Sequence, residues 1–173
     1  VAKQNGEKLM RRILSVLLEN QPGALSRVVG LFSQRGYNIE SLTVAPTDDA
    51  TLSRLNITLE ADETVLEQIE KQLHKLIDIL KVANITESSH IEREIALVKV
   101  KAKGAAREEV KRTTDIFRGQ IVDVTSELYT IQLTGTTAKL DACIASLGEM
   151  TKVVEVSRSG VVGLCRGEKS MRA

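Results

Sequence analysis

The chain has no tryptophan and, in 173 residues, only two each of phenylalanine, tyrosine, histidine and cysteine. With so few rings (Phe32, Phe117, Tyr37 and Tyr129), any core must be packed from Leu, Ile, Val and Ala. The same scarcity removes the aromatic platform on which single-stranded RNA is usually stacked. Cys143 and Cys165 are too few for a disulfide framework. Cys143 falls on the apolar side of a helical pattern and reads as a small core side chain. His74 sits near a helix end and His90 in a polar linker. With no Cys or Asp gathered around them, a metal site is not expected.

Charge of one sign is missing as well. Lys and Arg number 24 against 23 Asp and Glu, a formal net charge of +1, so there is no global electrostatic case for nucleic acid or a membrane surface. No apolar run approaches the roughly 18 residues that cross a bilayer, and no hydrophobic segment follows the N-terminus as in a signal peptide. These absences favour the cytoplasm. Enzyme motifs are absent in turn: no GxGxxG, P-loop, HExxH, CxxC or GxSxG. The acids are scattered, Asp48-Asp49 in a turn and Glu67 and Glu70 on a solvated helix face, and no residue is assigned a catalytic role.

What is present is a repeated pattern. Val1 to Leu9 form a polar, aperiodic leader. Ile13 to Leu18 read as a buried strand, broken by Asn20-Gln21-Pro22-Gly23. Ala24, Leu25, Val28, Val29, Leu31 and Phe32 then recur at helical spacing, with Gly36 as the stop. Strands are predicted over Ile39–Ala45 and Leu52–Glu60, close enough for a hairpin. Asp62-Glu63 opens a second helix, and Ile77–Ile85 is a fourth strand. The order β-α-β-β-α-β is the ferredoxin-like arrangement of an α+β domain.

The same order recurs after a boundary near Glu87-Ser88-Ser89-His90. It runs through Ile95–Val100, a helix carrying Ala106, Val110, Thr113 and Phe117, then Ile121–Val124 and Tyr129–Leu133. A helix carrying Leu140, Cys143, Ile144 and Leu147 and a strand Val153–Val156 complete it. Two consecutive ferredoxin-like domains are therefore expected, at 11–87 and 91–165. Domains this small bury limited surface, and strands this apolar suggest that the sheet face away from the helices is covered by a partner chain or the neighbouring domain. The tail from Leu164 reads as loose.

One loop stands out. Glu19-Asn20-Gln21-Pro22-Gly23-Ala24-Leu25 joins a buried strand directly to a helix. Pro22 pre-sets the backbone near the helix start, and Gly23 permits close approach. Unpaired N–H groups of the first turn, around Ala24 and Leu25, can hold a carboxylate without any basic side chain. Asn20 offers a side-chain amide beside them. An ordinary turn in which Asn20 caps the helix explains the same residues equally well.

The residues Arg11–Asn20 and Pro22–Val28 closely resemble an ACT domain, and the continuation Gly30–Val44 narrows the resemblance further. With Leu66–Leu73, Phe117–Val124 and Arg158–Gly163, the resemblance narrows to the regulatory small subunits of acetolactate synthase, also called acetohydroxyacid synthase. It covers about residues 10 to 172, and Met10 resembles the usual family start.

That resemblance implies a homodimer formed through ACT domains, not catalytic alone, that binds and activates a catalytic large subunit. Thiamine diphosphate, Mg2+ and FAD would belong to that partner, and valine would bind here as feedback effector of branched-chain amino-acid synthesis. It further implies a pocket between paired ACT domains, with Asn20, Gly23, Ala24 and Leu25 from one chain and Asn38 and Ile39 from the other. Ala45 matches a position associated with effector sensitivity. Arg118-Gly119-Gln120 and Arg158–Gly163 would serve either subunit docking or domain packing. The alternatives are a free-standing ACT-type amino-acid sensor, controlling another enzyme or transcription, and a small enzyme on this scaffold. No helix-turn-helix pattern flanks the domains, and no acid, base and nucleophile converge.

Overall fold

A computed structural model describes residues 9–172, so all of the polar leader except Leu9 lies outside the described residues. The described backbone divides into two units, residues 9–91 together with 163–172, and residues 92–162. Each carries the β-α-β-β-α-β order.

In the first unit, β1 (Met10–Glu19) is followed by α1 (Ala24–Arg35), β2 (Ser41–Pro46), β3 (Leu52–Ala61), α2 (Glu63–His74) and β4 (Ile79–Asn84). A short 3-10 turn, Ile85–Glu87, follows. The antiparallel sheet has the order β2-β3-β1-β4, which places β2 at one edge. Leu14, Val16 and Leu18 of β1 and Leu55, Ile57 and Leu59 of β3 alternate onto one face. There they meet Ala24, Val28 and Phe32 of α1 and Leu66, Ile69 and Leu73 of α2. Gly36 ends α1 in the left-handed conformation, φ 70°, and Tyr37 donates its N–H to the carbonyl of Phe32 at 3.0 Å. That turn sets the Tyr37 ring edge-on to Phe32, centroids 6.2 Å apart. Asp62 caps α2, accepting from the N–H of Val65 at 2.8 Å.

The second unit runs through β5 (His90–Lys101), α3 (Ala106–Ile116), β6 (Gln120–Val124), β7 (Leu128–Gly135), α4 (Thr137–Met150) and β8 (Val153–Arg158). Its strands take the order β6-β7-β5-β8. Ala96, Val98, Val100, Ile131 and Leu133 pack on Val110, Leu140, Cys143 and Leu147, so Cys143 is the core side chain expected of it. A last strand, β9 (Val162–Cys165), pairs with β5.

Several expected features differ. The stretch Glu87–His90 is not a free linker, because His90 already opens β5 and its Nδ1 lies 2.8 Å from the carbonyl oxygen of Ser88. Ile77 is 88% exposed and outside β4, which begins at Ile79 after a turn closed by Ile79 N–H to Leu76 O. Arg118 takes the left-handed conformation after α3, at φ 57°. Gly119 is needed for closeness, since a Cβ there would lie 2.7 Å from Leu133 Cδ2. The tail is anchored: Arg166 N–H donates to Ser89 O, and Lys169 Nζ to Ser88 Oγ at 2.9 Å.

The two sheets also differ on the face away from the helices. In the first unit Ile13, Ser15 and Leu17 are buried there. In the second, Ile95 and Leu97 are 41% and 45% exposed in the single chain.

Candidate functional site

The β1–α1 loop lies at the end of the first sheet where β1 stops and β3 starts, since Glu19 pairs with Leu52. Two bonds tie it to the β2–β3 turn: Asn20 N–H donates to Thr51 O at 2.7 Å, and Asn20 Nδ2 to Ala50 O at 3.3 Å. Asn20 is therefore a strut to the neighbouring turn and does not cap α1. The residue preceding α1 is Gly23, left-handed at φ 81° and with no side chain to cap. The Arg27 N–H bonds back to the Gly23 carbonyl at 3.0 Å, as the first helical bond requires.

The first-turn donors are not equivalent. Ala24 N–H is already given to Gln21 O at 3.1 Å. The N–H groups of Leu25 and Ser26 find no acceptor among the described residues, the ordinary condition of a helix start open to solvent. Of the two amides expected to face a carboxylate, Leu25 thus remains available, joined by Ser26, which sequence reasoning passed over. Its place two residues after the first helical position is the signal that could have found it.

Arg27 folds back beneath this turn. Its Nε donates to Asp78 Oδ2 at 2.7 Å and its Nη2 to the Pro22 carbonyl at 3.4 Å. A Cβ on Gly23 would stand 2.9 Å from Arg27 Nη1, so the glycine serves both the positive φ and this approach. Asp78 is buried, and its own carbonyl accepts from Glu19 N–H at 2.8 Å. The adjoining β2–β3 turn is closed by Asp49, whose Oδ1 accepts from Thr51 Oγ1 at 2.7 Å and Thr51 N–H at 2.9 Å. The Thr51 hydroxyl, then its amide, holds the Asp49 carboxyl below the usual carboxylate range.

Ala45, near the end of β2, belongs to the same end of the sheet and pairs with Arg54. Asn38 and Ile39 do not. They follow the far end of α1, whose 12 residues extend about 18 Å. Asn38 is exposed and Ile39 half-buried, packed against the first core. One chain therefore gathers Asn20, Gly23, Ala24, Leu25 and Ala45 at one end and leaves Asn38 and Ile39 at the other. Elsewhere, Arg158 is engaged within its own unit, bonded to buried Glu94 at 2.8 Å and to Asp141 at 2.6 Å. Among the described residues, no group of three His, Cys, Asp or Glu side chains gathers as a metal site. No helix among them is long and apolar enough to cross a membrane.

Comparison with known proteins finds two family models, one in each half of the chain. Residues 14–81 match the family described as the AHAS small subunit-like ACT domain. Residues 93–167 match the family described as the small subunit of acetolactate synthase. The acetolactate synthase isozyme 3 small subunit of Salmonella typhimurium is 71% identical over 163 residues, covering 94% of this chain and 100% of that protein. The probable acetolactate synthase small subunit of Archaeoglobus fulgidus is 47% identical, covering 92% of this chain and 99% of that one. The crystal structure of the acetolactate synthase small subunit from Thermotoga maritima superposes with a TM-score of 0.83 at 37% identity. It covers 92% of this chain and 99% of that one.

Proposed function

The chain belongs to the acetolactate synthase small subunits, regulatory and not themselves catalytic, and from that premise we propose that it activates a catalytic large subunit and makes it sensitive to valine. In this reading thiamine diphosphate, Mg2+ and FAD are held by the large subunit, which performs the chemistry in the cytoplasm. This chain contributes binding and geometry.

The observation that carries the effector reading is the separation of Asn20 from Asn38 by the length of α1. A valine at the Gly23 turn meets open amides at Leu25 and Ser26 for its carboxylate, and the strut residue Asn20 beside them. It has no access to Asn38 of the same chain. The second half of the pocket is supplied by a second copy, paired so that its Asn38 and Ile39 face the turn. The edge position of β2 favours such pairing, because an edge strand is open to a further strand. Effector binding then favours one relative placement of the two chains and shifts the assembly toward it.

The test is an acetolactate synthase assay of the cognate large subunit, alone and with this chain, across valine concentrations. Activation by the chain and its loss with rising valine are expected. An unchanged large-subunit rate in the presence of the chain overturns the reading.

A further inference from the structure

On the first sheet, the face away from α1 and α2 carries a continuous row of polar side chains. Asn56 Nδ2 on β3 donates to Thr43 Oγ1 on β2 at 3.3 Å. Ser15 Oγ on β1 donates to Asn56 Oδ1 at 2.8 Å. Arg54 Nη2 on β3 donates to Ser15 Oγ at 3.2 Å and to the carbonyl of Gly163 at 2.9 Å. The row thus begins on the edge strand, crosses the centre of the sheet and ends on β9. Ser15 and Asn56 are buried, so the bond between them cannot be exchanged freely for water.

Arg54 is the unusual member. It is the cross-strand partner of Ala45, the position to which the resemblance attaches effector sensitivity. No carboxylate pairs with it among the described residues, and its buried Nε has no acceptor. Burial lowers its pKa accordingly. A guanidinium kept in such a place without a counter-charge is costly and is tolerated only where its remaining bonds are well defined. Its shorter bond, at Gly163, depends on tight packing: a Cβ at Gly163 would collide with Ile85 Cδ1. Gly163 also directly follows Val162, the last residue of the second unit.

We propose that Arg54 is a positioning residue of the regulatory response, carrying the placement of β2 to the terminal strand at Gly163. This rests on the effector reading above and adds the route by which the pocket edge is felt elsewhere. When the edge strand shifts, Thr43 and Ala45 move with it. The buried bonds through Asn56 and Ser15 must then shift together or be left unmade. Arg54 passes the displacement to the Gly163 carbonyl, and the covalent chain continues it into the second unit.

The test uses the complex of the cognate large subunit with Arg54→Met, Arg54→Lys or Gly163→Ala chains. Valine affinity is read by calorimetry and residual activity at saturating valine by assay. Arg54→Met is expected to bind valine as the wild type does, yet to keep at least about fivefold more activity at saturation. Arg54→Lys should recover part of the inhibition, and Gly163→Ala, which leaves Arg54 in place, should reproduce the loss. If the Arg54→Met chain does not fold, the Gly163→Ala chain decides alone. Inhibition to the wild-type floor, or a parallel loss of affinity and inhibition, overturns the proposal while leaving the pocket reading intact. Failure of the wild-type chain to bind valine overturns both.

Discussion

Arg27 and Asp78 meet at 2.7 Å across 51 positions of sequence, and together they underlie the turn that starts α1. The acid is the buried partner, its side chain 8% exposed against 45% for the arginine. Removing the arginine therefore leaves a desolvated carboxylate, whereas removing the acid releases an arginine that water can reach. Arg27→Met should cost about 2 kcal/mol of unfolding free energy, after allowance for the exposed arginine. Asp78→Asn should cost less. Urea denaturation of both variants checks the order.

Two glycines flank α1 with similar backbone and different surroundings. Gly36, at φ 70°, has nothing within 4 Å of an added Cβ, while Gly23, at φ 81°, faces Arg27 Nη1. Alanine at Gly36 should cost about 1 kcal/mol from its left-handed backbone alone. Alanine at Gly23 should cost more and also displace the guanidinium. Comparing denaturation midpoints separates conformational cost from contact.

A pocket divided between two chains has a genetic signature. Asn20→Ala and Asn38→Ala chains should each bind valine weakly while still activating the large subunit. Mixed and re-annealed, they form heterodimers in which one pocket has both asparagines and the other has neither. Calorimetry should then recover a fraction of tight sites present in neither parent preparation. No recovery argues that both residues act within one chain.

The Asp49 turn gives a pH dependence with a definite sign. Its carboxyl is held below the usual range in the folded chain by Thr51, so the unfolded chain takes up a proton first as pH falls. The turn's contribution is complete above the ordinary carboxylate pKa and is lost as pH drops through the lower folded value. The Thr51 amide resonance should titrate in that acidic window, and Asp49→Asn should flatten the titration.

In the second unit, Arg158 links β8 to buried Glu94 of β5 and to Asp141 of α4. Glu94 also accepts from Thr137 Oγ1 at 3.0 Å. Arg158→Met leaves that acid short of its counter-charge and should lower stability by about 3 kcal/mol. A thermal melt of the variant distinguishes this packing role from a partner-contact role, which would leave the melt unchanged.

Much of the architecture was readable from local pattern. Alternation of Leu55, Ile57 and Leu59 marked β3, Asp62 marked the start of α2, and the recurrence of element order marked two similar units. These signals work because one face of each element is buried and its period is visible. Long-range and compensated features were not readable. Polar Glu92 and Arg93 hid the backward extension of β5. Four-residue β9 has too short a pattern to announce itself, and its partner lies far back in the chain. At the candidate site, the Gly23 turn was visible as Pro-Gly before a helical run. Its support by Arg27 and Asp78, and the attachment of Asn20 to Ala50, depend on folded proximity and leave no local trace.

The anchoring of residues 163–172 carries a consequence for biosynthesis. The first unit is assembled from residues 9–91 and 163–172, with all of the second unit encoded between them. A ribosome therefore delivers the strands and helices of the first unit early but withholds its closing segment until residues 163–172 emerge. The nascent first unit waits with Arg54 lacking the Gly163 carbonyl that accepts from it and Ile85 lacking the glycine beside it. A frameshift or stop codon falling between codons 92 and 163 would thus damage the domain made first.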